Sequence, residues 1–103
     1  MNLAASSQEL AAEMTRRYII TGRVQGVGFR WFVEREASAI GVGGWVRNND
    51  NGNVEVLASG TDEQLAKLRA RLKQGPRASR VDQVLESEEQ ELNEPSFRIE
   101  GAW

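Results

Sequence analysis

The stretch Arg16–Ile40, RRYIITGRVQGVGFRWFVEREASAI, changes its periodicity part-way along. Its opening, RRYIITGRV, carries Tyr18, Ile19, Ile20 and Thr21, bulky or β-branched residues that suit a pleated strand. Its second half places apolar residues at Phe29, Phe32, Val33, Ala37 and Ile40, a helical spacing that predicts a helix from about Phe29 to Ile40. Gly41 is a suitable stop, because glycine enters the left-handed region without steric cost. Between strand and helix lies a glycine-rich turn with Gly22, Gly26 and Gly28. A strand that turns into a helix in this way begins a crossover unit.

The rest of the chain completes it. GWVRN reads as a second strand, Asn51-Gly52 as a hairpin turn, and NVEVLASG as a third strand. In that third strand Val54, Val56 and Ala58 alternate against Glu55, Leu57 and Ser59. Thr61-x-x-Gln64 fits a capping box for a second helix, whose stripe is Leu65, Leu68 and Leu72 and whose stop is Gly75-Pro76. SRVDQVLES gives a fourth strand, EEQELNEP a polar loop, and SFRIEGAW a short last strand; the acidic run from Glu86 to Glu91 reads as a solvated loop. The order β-α-β-β-α-β plus one short strand predicts a ferredoxin-like split β-α-β sandwich: an α+β fold with one antiparallel or mixed sheet and two helices on one face. Residues 1–15 read as an N-terminal appendage, mobile or a short helix capped by Ser6-x-x-Glu9, ahead of a domain at 16–103.

The chain has 103 residues, enough for one core. Its formal charge of −2 gives no general attraction to nucleic acid or anionic membrane. No apolar run reaches the length of a membrane span, and the N-terminus lacks the pattern of a secretory leader, so a cytoplasmic location is expected. Histidine and cysteine are both absent. That removes a histidine base, a cysteine nucleophile and a zinc-thiolate site.

Topology then brings two distant residues together. A crossover helix returns the chain in the same direction, so the first two strands run parallel and end on the same rim of the sheet. The glycine-rich loop leaves that rim, and Asn48 ends the second strand there. The loop also enters a helix N-terminus, where backbone N–H groups and the helix dipole favour an anion. Gly26 and Gly28 let the backbone curl so that successive N–H groups from Gln25 through Gly26, Val27, Gly28, Phe29 and Arg30 can converge. Arg30 lies in the first helical turn, where the dipole disfavours a cation unless an anion is bound. A P-loop needs Gly-Lys-Ser/Thr where this chain has Gly28-Phe29-Arg30, and a dinucleotide fingerprint needs glycine where it has Trp31. On these residues alone, an anion site and a structural tight turn both stay open. Trp31 and Trp45 read as packing or rim residues.

With GRVQGVGFR followed by GVGGWVRN and NGNVEV, the chain resembles the acylphosphatase family. The shared pattern falls on Gly22, Val24, Gln25, Gly26, Val27, Phe29 and Arg30, then Gly41, Gly44, Trp45, Val46 and Asn48, then Gly52, Val54 and Glu55. The resemblance covers about residues 16–100. It implies the fold predicted above and metal-independent hydrolysis of the carboxyl-phosphate bond of acyl phosphates, with no cofactor. It implies that Arg30 binds the phosphate and Asn48 orients the attacking water. The expected partners are a small-molecule acyl phosphate and inorganic phosphate, as product and inhibitor, with no nucleic acid or membrane and a monomer as the working unit. The departures are Asn51-Gly52 where the family often has Asp-Gly, and the ending EGAW. The alternative is a non-catalytic phosphate-ligand binding or regulatory module. An RNA-binding sheet is disfavoured, because NVEVLASG has no aromatic residue on which bases would stack.

Overall fold

The computed structural model describes residues 13–90 and 94–101. The helix expected near Ser6 and Glu9, and the chain end after Gly101, lie outside the described residues. The elements run β1 (Met14–Arg23), α1 (Phe29–Ile40), β2 (Gly43–Asn48), β3 (Val54–Gly60), α2 (Asp62–Gln74), β4 (Arg80–Glu89) and β5 (Phe97–Ile99). The five strands form one sheet in the order β4-β1-β3-β2-β5. β3 pairs antiparallel with both β1 and β2, so those two are parallel to one another. β5 adds to β2 in parallel, which makes the sheet mixed. This is the ferredoxin-like α+β arrangement that the element order predicted.

The two helices close one core. α1 buries Phe29, Val33 and Ala37, with Phe32 and Ile40 partly buried beside them. α2 buries Leu65, Leu68 and Leu72. They meet Tyr18 and Ile20 of β1, Val46 of β2 and Val54, Val56 and Ala58 of β3. Burial of a large apolar side chain contributes about 1.5–3 kcal/mol, so this shared core dominates what holds the helices to the sheet. The Tyr18 hydroxyl is buried with no hydrogen-bond partner among the described residues, and burial pushes its pKa well up. Thr61 caps α2 as expected, its hydroxyl accepting from the Gln64 N–H at 3.2 Å while the Gln64 side chain accepts from the Thr61 N–H at 2.9 Å.

Three details differ from the sequence reading. β1 begins at Met14, so Met14 and Thr15 belong to the sheet, where they oppose Gly60 and Ser59. A buried Thr15–Ser59 hydroxyl contact of 2.7 Å holds that end. Second, β3 is buried along its whole length and on both of its faces. It is the central strand, and on its second face Glu55 is ion-paired with Arg17 from β1 and with Arg47 from β2. Leu57 on that face lies between its cross-strand neighbours Arg17 and Trp45. Third, β4 runs past SRVDQVLES, which already held Glu86, to Glu89, so Glu88 and Glu89 are strand residues as well and the acidic run is not a loop there. Arg16 pairs with Glu86 and Glu88, and Arg17 with Glu89, across the β1–β4 ladder. Cationic partners on the adjacent strand offset the repulsion that made the run look like a loop.

Candidate active site

The site grows from the segment between β1 and α1. Val24 is buried and anchors the chain as it leaves the sheet. Gly26 and Gly28 then take positive φ values of 73° and 78°. A Cβ at either position would meet nothing within 4 Å, so conformation and not crowding calls for glycine there. Gly28 is also the N-cap of α1 and offers no side chain to the first turn, which holds no acidic residue. The contrast is α2, with its capping box and with Asp62 and Glu63 in its first turn. The start of α1 thus keeps the anion-favouring character of a helix N-terminus.

The Gln25 side chain ties this loop to the turn that follows β2. Its Nε2 donates to the carbonyl of Asn49 at 2.9 Å and to that of Asn53 at 2.8 Å. The turn is ordered internally as well: Asn49 Oδ1 accepts from the N–H groups of Asn51 and Asn53 at 3.0 and 3.1 Å. One side chain therefore fixes the loop against the residues next to Asn48. An amide is suited to this, because its two N–H bonds can serve two carbonyls at once.

Arg30 and Asn48, eighteen positions apart, line the same cavity of about 190 Å³. Gly26, Gly28 and Phe29 form part of its wall, and Val24 and Trp31 complete it. Of the loop residues singled out in the sequence, Gln25 and Val27 turn their side chains away from it: Gln25 to the β2–β3 connection and Val27 to the core. Asn48 Oδ1 is buried and has no hydrogen-bond partner among the described residues. Such an acceptor costs about 1–3 kcal/mol when left unsatisfied. Among the described residues the cavity lining contains no carboxylate, and Arg30 is its single charged side chain.

The family model for acylphosphatases matches residues 16–99. The chain belongs to the acylphosphatase family. An acylphosphatase from Koribacter versatilis is 62% identical over 90 residues, which cover 86% of this chain and 82% of that one. An acylphosphatase from Pasteurella multocida is 52% identical over 75 residues, 73% of this chain and 83% of its own. Among solved structures, the acylphosphatase from Bacillus subtilis superposes with a TM-score of 0.82 at 39% identity, covering 85% of this chain and 99% of its own. These matches favour acylphosphatase activity over a non-catalytic binding module. Two residues of the cavity wall carry no site role in the sequence reading: Val24 is a position of the shared pattern, and Trp31 a packing or rim residue that adjoins Arg30 and falls off the apolar stripe of α1.

Proposed function

We propose that this acylphosphatase hydrolyses acyl phosphates without a metal ion, with the phosphoryl group held by the backbone of Gln25–Arg30 and by the Arg30 guanidinium, and with the attacking water oriented by Asn48. The observation that carries this reading is the shared cavity of Arg30 and Asn48, with a buried Asn48 Oδ1 that no described residue satisfies.

The chemistry suits this residue set. The leaving group is a carboxylate, the conjugate base of an acid with a pKa of about 4, and it departs without being protonated. No general acid is needed, in keeping with a chain that has no histidine. Phosphoryl transfer passes through a loose transition state with charge spread over the equatorial oxygens. Fixed N–H donors and a guanidinium fork match that charge, and one such donor contributes about 3–4 kcal/mol at the transition state. Asn48 Oδ1 accepts a hydrogen bond from the water and turns its lone pair toward phosphorus. The water oxygen bonds to phosphorus, the bond from phosphorus to the acyl oxygen breaks, and the water's proton passes to a phosphate oxygen. The absence of a carboxylate from the lining among the described residues supports that acceptor. A single chain suffices for this site, and inorganic phosphate competes for the same cradle.

The test is hydrolysis of benzoyl phosphate with a strong chelator present. Full turnover under those conditions is expected. Activity lost with chelator and restored by a divalent cation would contradict the metal-free reading, and a folded protein with no turnover in either condition would return the chain to the binding-module reading.

A further inference from the structure

We propose that Trp31 is the acyl-recognition residue of this site, its indole forming a wall that favours acyl phosphates with a flat aromatic or bulky apolar acyl group. This rests on the reading of the Arg30–Asn48 cavity as the phosphate site.

The position of Trp31 is the first argument. α1 buries Phe29, Val33 and Ala37, while Trp31 stays 70% exposed. Among the described residues the other exposed large apolar side chain is Leu85, which borders a different depression beside Arg69 and Lys73. A single exposed apolar residue needs no explanation by itself. Trp31, however, lines the same cavity as Arg30 and Asn48. This exposed residue therefore borders the site.

The second argument is reach. In an acyl phosphate a single oxygen joins phosphorus to the carbonyl carbon, so the acyl group begins within two bonds of the phosphoryl group. Because Arg30 and Trp31 line the same cavity, a phosphoryl group held by Arg30 leaves the acyl group within reach of the Trp31 side of the wall. The third argument is chemical selection. Among the described residues Arg30 is the only charge in the lining and is engaged by the phosphate in this reading, and the other side chains of the wall are Asn48 and the apolar Val24, Phe29 and Trp31. Of these, Val24 and Phe29 are buried in the core, which leaves the indole as the accessible apolar surface. A flat acyl group stacked on it removes apolar area from water on both partners and gains aromatic contact.

The experiment compares kcat/KM for benzoyl phosphate and acetyl phosphate in the wild type, Trp31→Ala and Trp31→Phe, with the inhibition constant of inorganic phosphate measured alongside. The intrinsic reactivity of the two substrates cancels when their ratio is compared between variants. The benzoyl-to-acetyl ratio is expected to fall about tenfold in Trp31→Ala, through KM for benzoyl phosphate, and to recover in large part in Trp31→Phe. Inorganic phosphate, which has no acyl group, is expected to inhibit all three proteins alike within about twofold. An unchanged ratio in Trp31→Ala overturns the inference and leaves the hydrolytic reading standing. An equal loss on both substrates with weakened phosphate inhibition also overturns it, since Trp31 would then support the cradle and not the acyl group. A wild type that hydrolyses neither substrate removes the site reading itself.

Discussion

Arg30→Ala is expected to lower kcat/KM for benzoyl phosphate by about 100- to 1,000-fold and to abolish inhibition by millimolar inorganic phosphate. Among the described residues the guanidinium is the single charge in the cavity lining, so none of them beside it can take over its electrostatic role. It sits in the first turn of α1, where the helix dipole and the guanidinium would act together on the phosphoryl group proposed to bind there. Both binding and turnover therefore suffer, because the phosphoryl charge is present in the ground state and redistributed in the transition state. Arg30→Lys keeps a positive charge and loses the planar fork, and only part of the activity is expected to return. Arg30 is not a member of the buried core, so the variant is expected to fold, which circular dichroism and thermal melting would check. Phosphate inhibition in Arg30→Ala equal to that of the wild type would place the anion elsewhere.

Asn48→Ala is expected to behave differently. We predict a fall in kcat of about 100-fold, from the lost orientation of water, while the phosphate inhibition constant stays within about threefold. The split follows from the assigned roles: Arg30 and the loop hold the anion, and Asn48 addresses the nucleophile. Stability offers a second readout. Asn48 Oδ1 is buried with no hydrogen-bond partner among the described residues, so its truncation removes a group that costs about 1–3 kcal/mol to keep unsatisfied. The variant is therefore expected to melt no lower than the wild type. A structural Asn at a strand end would give the opposite pattern, with lower stability and near-normal kcat. Asn48→Asp is expected to be worse than a neutral swap, because it sets a carboxylate beside the phosphoryl group.

The first helix was legible to the residue, because its apolar stripe and its flanking glycines carry the same message. Phe29 and Ile40 end the stripe, and Gly28 and Gly41 on either side both take the left-handed conformation. The common rim of Arg30 and Asn48 was legible through the handedness and direction of a crossover, a rule that needs no side-chain contact. What sequence periodicity could not supply was the identity of partners from other strands. Glu55 is buried because Arg17 and Arg47 converge on it from the two flanking strands. Glu86, Glu88 and Glu89 are strand residues because Arg16 and Arg17 face them across the ladder. Local composition reads both cases as polar surface. The same limit applied at the site. Gln25 belonged to the recognised loop, yet its two acceptors lie beyond β2, 24 and 28 positions along the chain. Trp31 was visible as a residue off the helix stripe, but only the folded loop sets it in the cavity wall.

The most direct test of the central claim follows the oxygen of water. If the cavity holds a phosphoryl group under attack by a water on Asn48, hydrolysis of benzoyl phosphate in ¹⁸O-labelled water places the label in inorganic phosphate and leaves benzoate unlabelled. Label in benzoate would mean that water attacks the carbonyl carbon, and the site would not be the phosphoryl-transfer centre described above.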